Sequence, residues 1–221
     1  MKLLILALAV SAVYASTFQV GLNFKPSQDK RQLYSSKLFH HVQMSRIFPD
    51  SKTFVDMHMK RDEKTILLAF DELLAKTNER PTKEQLTDFI SYNFDSESGL
   101  ESWRPSDFVS EPGFLNSIKD SQLKLFARNV YSMLPTFGRK MTPAVFRNPE
   151  QFSMIPVHNG FIVPGGNSKE FNYMESYWII ESLLISGMKE TAKGMISNFI
   201  ELQREFGYIP SGDRRRTTLN S

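Results

Sequence analysis

Cysteine is absent from the 221 residues. That excludes disulfides and leaves packing alone to supply stability, so a large core is expected rather than a stapled mini-domain. No apolar run reaches the ~20 residues needed to span a bilayer. No Asn-x-Ser/Thr triplet occurs, so N-glycosylation is not expected. Charge of one sign is scarce as well: 27 Lys and Arg stand against 24 Asp and Glu, mixed along the chain, for a net charge of only +3. Such a balance provides no field strong enough for nucleic acid, and a pI near 9.0 changes little. His40, His41, His58 and His158 are scattered without metal-ligand spacing, so neither a metal nor another cofactor is expected. Strand patterning, short internal repeats and Pro- or Ser-rich linkers are also lacking.

What is present has the composition of a soluble globular protein, 41% hydrophobic and 23% charged. The length fits one domain or an incomplete large one. Lys2, the apolar run Leu3–Val10 and Val13-Tyr14-Ala15 have the layout of a secretory signal peptide cleaved after Ala15. Residues 1–15 are therefore expected to be removed, and 16–221 to form the mature chain of a secreted, extracellular product.

Helical spacing dominates that mature chain. Leu33, Leu38, His41, Val42 and Ser45 share one face ahead of Pro49-Asp50. Asp62 opens a second run through Ile66, Leu67, Phe70, Leu73 and Leu74, stopped by Asn78 and Pro81. Thr82 and Gln85 have capping-box spacing in front of Leu86, Phe89 and Ile90, which predicts a third helix to about Asn93. Ser96 to Gly113 reads as a loop. Phe114 to Phe137 predicts another helix, with Leu123, Phe126, Ala127, Val130 and Leu134 on one side and a stop at Pro135 and Gly138. Met154 to Val163, broken by Pro156 and Gly160, reads as extended chain entering the tight Pro164-Gly165-Gly166 loop. Two stripes follow. Tyr177, Ile180, Leu184 and Met188 form one; Ala192, Met195, Phe199, Leu202 and Phe206 form the other, ended by Gly207. The short connection at Gly187 implies an antiparallel pair. All-α is the predicted fold class. Nothing follows the last pair to cover it, so the core is expected to be unfinished.

The stretch Pro164-Gly165-Gly166-Asn167-Ser168-Lys169-Glu170-Phe171-Asn172-Tyr173-Met174-Glu175-Ser176-Tyr177 resembles the trehalase signature, Pro-Gly-Gly-Arg-Phe followed by Glu, Tyr, Trp-Asp and Tyr. Four more stretches are similar to trehalase: Phe48-Pro49-Asp50-Ser51-Lys52-Thr53-Phe54-Val55-Asp56-Met57, Phe161-Ile162-Val163, Ser176-Tyr177-Trp178-Ile179-Ile180-Glu181 and Gly207-Tyr208-Ile209-Pro210. The similarity runs from about Ser36 to Arg214. It implies glycoside hydrolase chemistry (family 37) on α,α-trehalose within an (α/α)6 barrel, of which 16–221 would be a partial, incomplete piece. Family trehalases invert at the anomeric carbon: one carboxylic acid protonates the leaving oxygen, and a carboxylate ~6.5–9.5 Å away activates water on the opposite face. The family places both groups in segments that would follow Ser221, so no catalytic residue is assigned to this chain.

By the same resemblance, sugar contacts fall on Asn167, Met174, Glu175, Ser211 and Arg214. The first four depart from the family's Arg, Trp, Asp and Asn. Asn167 loses the guanidinium fork, Met174 the flat ring; Glu175 keeps its charge one methylene further out, and Ser211 shortens an amide to a hydroxyl. Either the pocket is retuned to another ligand, or constraint on it is relaxed. Gly165 and Gly166 read either as a loop shaped for a ligand or as a turn into a helix. Asp50, Lys52 and Asp56 are expected to be capping or ion-pair residues, and Trp178 a core residue; Trp103, in a loop, is left open to sugar stacking. In Arg214-Arg215-Arg216, read as a solvated tail, only Arg214 fits the family's Gly-Asn-Arg turn. His58 stands where the family usually has Pro.

Two functions compete. One is an extracellular trehalase whose acid and base come from outside this chain, acting on a small disaccharide. The other is a catalytically inactive, trehalase-like fragment that binds a sugar or a protein, with self-association through exposed apolar helix faces as one outcome.

Overall fold

The computed structural model describes residues 32–96, 99–165 and 169–215. The signal-peptide reading of 1–15, Gly166, Asn167 and Arg216 lie outside the described residues.

Helices begin where a side chain takes up backbone N–H groups that the first turn leaves free. Ser36 caps α1 (Lys37–Ser45), Asp50 caps α2 (Ser51–Asp56) and Asp62 caps α3 (Glu63–Lys76). At α4 (Lys83–Asn93) Thr82 and Gln85 form the predicted capping box, with both reciprocal bonds in place. The short α2 is an addition to the predicted helices, since fewer than two turns show no period. Leu38, Val42, Phe54, Ile66, Phe70 and Leu86 bury together and join these four helices in a first core. β1 (His58–Met59) enters α3 and pairs antiparallel with β2 (Phe94–Asp95), which leaves α4, so the hairpin of helices is closed at its open end.

A second core takes up the remainder. The segment expected to be loop contains β3 (Leu100–Ser102), which joins β4 (Gly138–Met141) and β5 (Phe161–Ile162) in an antiparallel sheet of order β3-β4-β5. Strands of two to four residues carry no readable alternation, which is why the sequence does not announce them. The described residues are therefore mostly helical, with two small sheets in addition. The helix expected over 114–137 divides into a 3-10 turn (Gly113–Ser117), α5 (Ser121–Ser132) capped by Asp120, and a second 3-10 turn (Leu134–Phe137); α6 (Pro143–Arg147) follows. Trp103 is half-buried: a Cβ on Gly160 would fall 2.4 Å from its ring, and one on Gly138 1.9 Å from its carbonyl oxygen. Its flanks are thus occupied by glycine backbone.

The chain then doubles back as α7 (Tyr173–Ile185) and α8 (Lys189–Phe206), which pack side by side as predicted. Gly207 ends α8 at φ +81°, a left-handed conformation that only glycine adopts cheaply. Ala192, Met195, Phe199, Leu202 and Phe206 are all buried. No side chain of the preceding residue caps α8; instead Asp107 accepts from Glu190 N at 2.9 Å and Thr191 N at 3.0 Å across the fold. Burial alone would raise the Asp107 pKa, but the Thr191 hydroxyl, which also donates to this carboxylate, and then the backbone amides hold it below the usual carboxylate range.

Two expected stripes face the core only in part: Ile180 and Leu134 pack against the second core and Met188 is fully buried in it, but the other large side chains of both stripes point outward. On α7, Tyr177 and Leu184 are exposed and Trp178 is 68% exposed, whereas Ser176 and Leu183 are buried. Trp178 is thus a surface residue. The helix is apolar nearly all round, so its period selects no face, and contact with α8 decides. On α5, Leu123, Phe126 and Val130 are exposed, while Tyr131 is buried and stacks on Phe108. Among the described residues, no helix is long and apolar enough to cross a membrane.

Candidate functional site

Three segments distant in sequence are joined by backbone hydrogen bonds beside the start of α7. Tyr173 N donates to Ser211 O at 3.0 Å, Asp213 N to Phe171 O at 3.1 Å, Ile155 N to Asp213 O at 2.7 Å and Arg215 N to Ser153 O at 2.8 Å. Isolated bridges Asn172 to Gly212 and Met154 to Arg214 complete the seam. Phe171 anchors it: its ring is fully buried, 5.0 Å from Phe161 and 4.2 Å from Phe199. The signature-like stretch is thereby locked beside the Gly207–Arg214 turn.

Beneath this seam lies a cluster of charge. Lys52, on α2, pairs with Asp56 one turn along and reaches Glu170 at 2.9 Å. Arg214, 1% exposed, places Nε 3.6 Å from Asp56 and 3.7 Å from Glu170, and donates from Nη1 to Ser153 Oγ at 2.6 Å. Buried ions need such partners, because desolvation would otherwise outweigh their attraction. Asp213 is the exception. It is fully buried, and neither carboxylate oxygen accepts a hydrogen bond among the described residues. Burial, with Glu170 and Asp56 adding repulsion, pushes its pKa up to about 7 against the pull of Arg214 and of the nearby Phe171 N–H, which is close enough to favour the charged form without meeting hydrogen-bond geometry.

The expected sugar contacts distribute as follows. Met174 and Glu175 occupy the first turn of α7 and are exposed; Met174 N is capped by Asn172 Oδ1 at 3.1 Å. Ser211, also exposed, holds Tyr173 through its carbonyl, so these three positions share one edge. Arg214 lies below them in the charge cluster and is no part of a solvated tail; Arg215 is half-buried and donates to Pro149 O at 3.2 Å. Asn167 is outside the described residues. Gly165 takes φ +96°, with space for a Cβ closed by the Phe137 ring at 3.0 Å. Asp50 is an N-cap and Lys52 and Asp56 are ion-pair residues, as their position after a helix end predicts. Glu170 and Asp213 were not singled out. Glu170 coincides with the signature's Glu, and Asp213 stands at the Asn of the Gly-Asn-Arg turn that Arg214 fits; those coincidences could have pointed to both, though neither tells of burial. The edge presents a carboxylate and a hydroxyl, groups suited to hydroxyl-rich ligands. Two open depressions elsewhere are lined by residues between Gln32 and Asn93 and by none of these side chains.

A family model described as Trehalase matches residues 46–217. The chain is similar to trehalase of Bombyx mori, 47% identical over 215 residues, covering 97% of this chain and 36% of that protein. Trehalase of Tenebrio molitor is 45% identical over 199 residues (90% and 36%), and that of Oryctolagus cuniculus 41% over 191 residues (86% and 33%). The chain thus spans about a third of the length of the curated relatives it matches.

Proposed function

The chain belongs to the trehalase family, and we propose that it forms the leading part of a trehalase-type (α/α)6 barrel that binds α,α-trehalose for inverting hydrolysis. Asn167, Met174, Glu175 and Ser211 meet the sugar, with Arg214 supporting them from below. The acid and base come from barrel segments other than this one, and the product is exported once residues 1–15 are removed. One observation carries this reading: the seam that sets Met174, Glu175 and Ser211 on one edge, in a chain of this family. Exposed apolar side chains on α5 and α7 fit the same picture, being faces that further helices would cover.

The test is glucose release from trehalose by the secreted product, beside an α-glucoside control and a mock preparation, together with calorimetric titration by trehalose. Binding without turnover is the expected result. Turnover would place the carboxylates within this chain, and a folded sample with no affinity for trehalose would overturn the sugar contacts. The exposure of Trp178, Ile185 and Phe126 favours a second reading, an inactive trehalase-like protein that associates through these faces. Sedimentation of a concentration series, showing dimers or only monomers, decides it.

A further inference from the structure

The charge cluster joins the two cores as well as filling space between them. Lys52 and Asp56 belong to α2, whose Phe54 is buried in the first core; Glu170 adjoins Phe171, buried in the second. Lys52 spans the boundary directly at 2.9 Å to Glu170, and Arg214 spans it again through Asp56 at 3.6 Å. Both ends attach to backbone that carries candidate contacts. Glu170 lies between the Gly165 loop and the first turn of α7, and Arg214 directly follows the Ser211–Asp213 turn. Apolar packing could unite two cores without the desolvation of four charges, whereas ion pairs impose distance and direction. We propose that Lys52 and Arg214 are positioning residues: by gripping Glu170 and Asp56 they hold the backbone of 169–175 and 211–213 at the spacing the sugar contacts require. The grip is a statement about structure alone; only its purpose rests on the sugar-binding reading above.

Lys52 is the residue to change, because its side chain is 37% exposed and its loss strands no buried cation. Hydrogen exchange is followed in the full chain for Lys52→Met, Lys52→Arg and the unmodified protein. In Lys52→Met the amides of 169–175 and 211–213 should exchange about tenfold faster, while those of α3, α4 and α8 keep their rates. Lys52→Arg should restore protection, since guanidinium reaches the same carboxylates. Unchanged exchange at 169–175 and 211–213 would overturn the proposal. Uniform acceleration in every helix would overturn it too, by making Lys52 a residue of general stability. Trehalose added to the unmodified protein separates the two claims: slowing of these amides supports sugar binding there, and its absence refutes that reading while the Lys52 comparison still judges the grip.

Discussion

Asp213→Asn should make the stability of this protein less sensitive to pH. In the unfolded chain Asp213 ionises near 3.8, but in the folded protein burial holds its proton until about pH 7. Between those values the folded state binds more protons than the unfolded one, so stability falls as pH rises and levels off above about 7. Each pH unit in that window is worth about 1.4 kcal/mol, so the full penalty is on the order of 4 kcal/mol, more than half of it developing between pH 5 and the plateau. Asparagine keeps the shape and does not ionise. Any cost of its amide is the same at every pH, and other titrating groups are common to both proteins. The informative quantity is therefore the stability difference between Asp213→Asn and the unmodified protein, from urea unfolding at pH 5 and pH 8. It should shift in favour of the variant by about 2–3 kcal/mol as pH rises. A difference that stays constant, or that moves against the variant at pH 8, would refute the reading that burial outweighs the pull of Arg214 on this carboxyl.

Other outcomes test the packing. Phe206→Ala removes a ring that is 1% exposed and should cost about 3–5 kcal/mol in chemical unfolding. Thr82→Ala breaks the capping box of α4 and should cost about 1 kcal/mol, with faster exchange in the first turn of that helix. Trp178→Ser, at a position 68% exposed, should change stability by no more than about 0.5 kcal/mol. A loss of several kcal/mol by the same assay would restore Trp178 to the core.

Local signals account for what was readable along the chain. The starts of α3 and α4 were legible because Asp62 and the Thr82–Gln85 pair cap within three residues. The buried face of α8 was legible because its apolar residues alternate with charged ones at helical spacing, and only one side could be buried. α7 lacked that contrast, so its inward face was set by α8, and Trp178 fell outside. The strands β3, β4 and β5 were invisible for a different reason: each is stabilised by hydrogen bonds to residues far along the chain, and none is long enough to show a period.

The candidate site divides the same way. Sequence by itself determined the family resemblance, the export-signal layout, the exclusion of disulfides and the candidate contacts at Asn167, Met174, Glu175, Ser211 and Arg214, because each of these is a matter of residue type and order. It also limited Lys52 and Asp56 to capping or pairing. Only the tertiary structure decided with whom they pair. Glu170 and Arg214 stand 118 and 162 positions beyond Lys52, and no local pattern encodes a meeting over that distance. Burial then does what composition could not foretell: it turns Arg214 from an apparent tail residue into an internal partner, and holds a proton on Asp213 that an exposed aspartate would have lost.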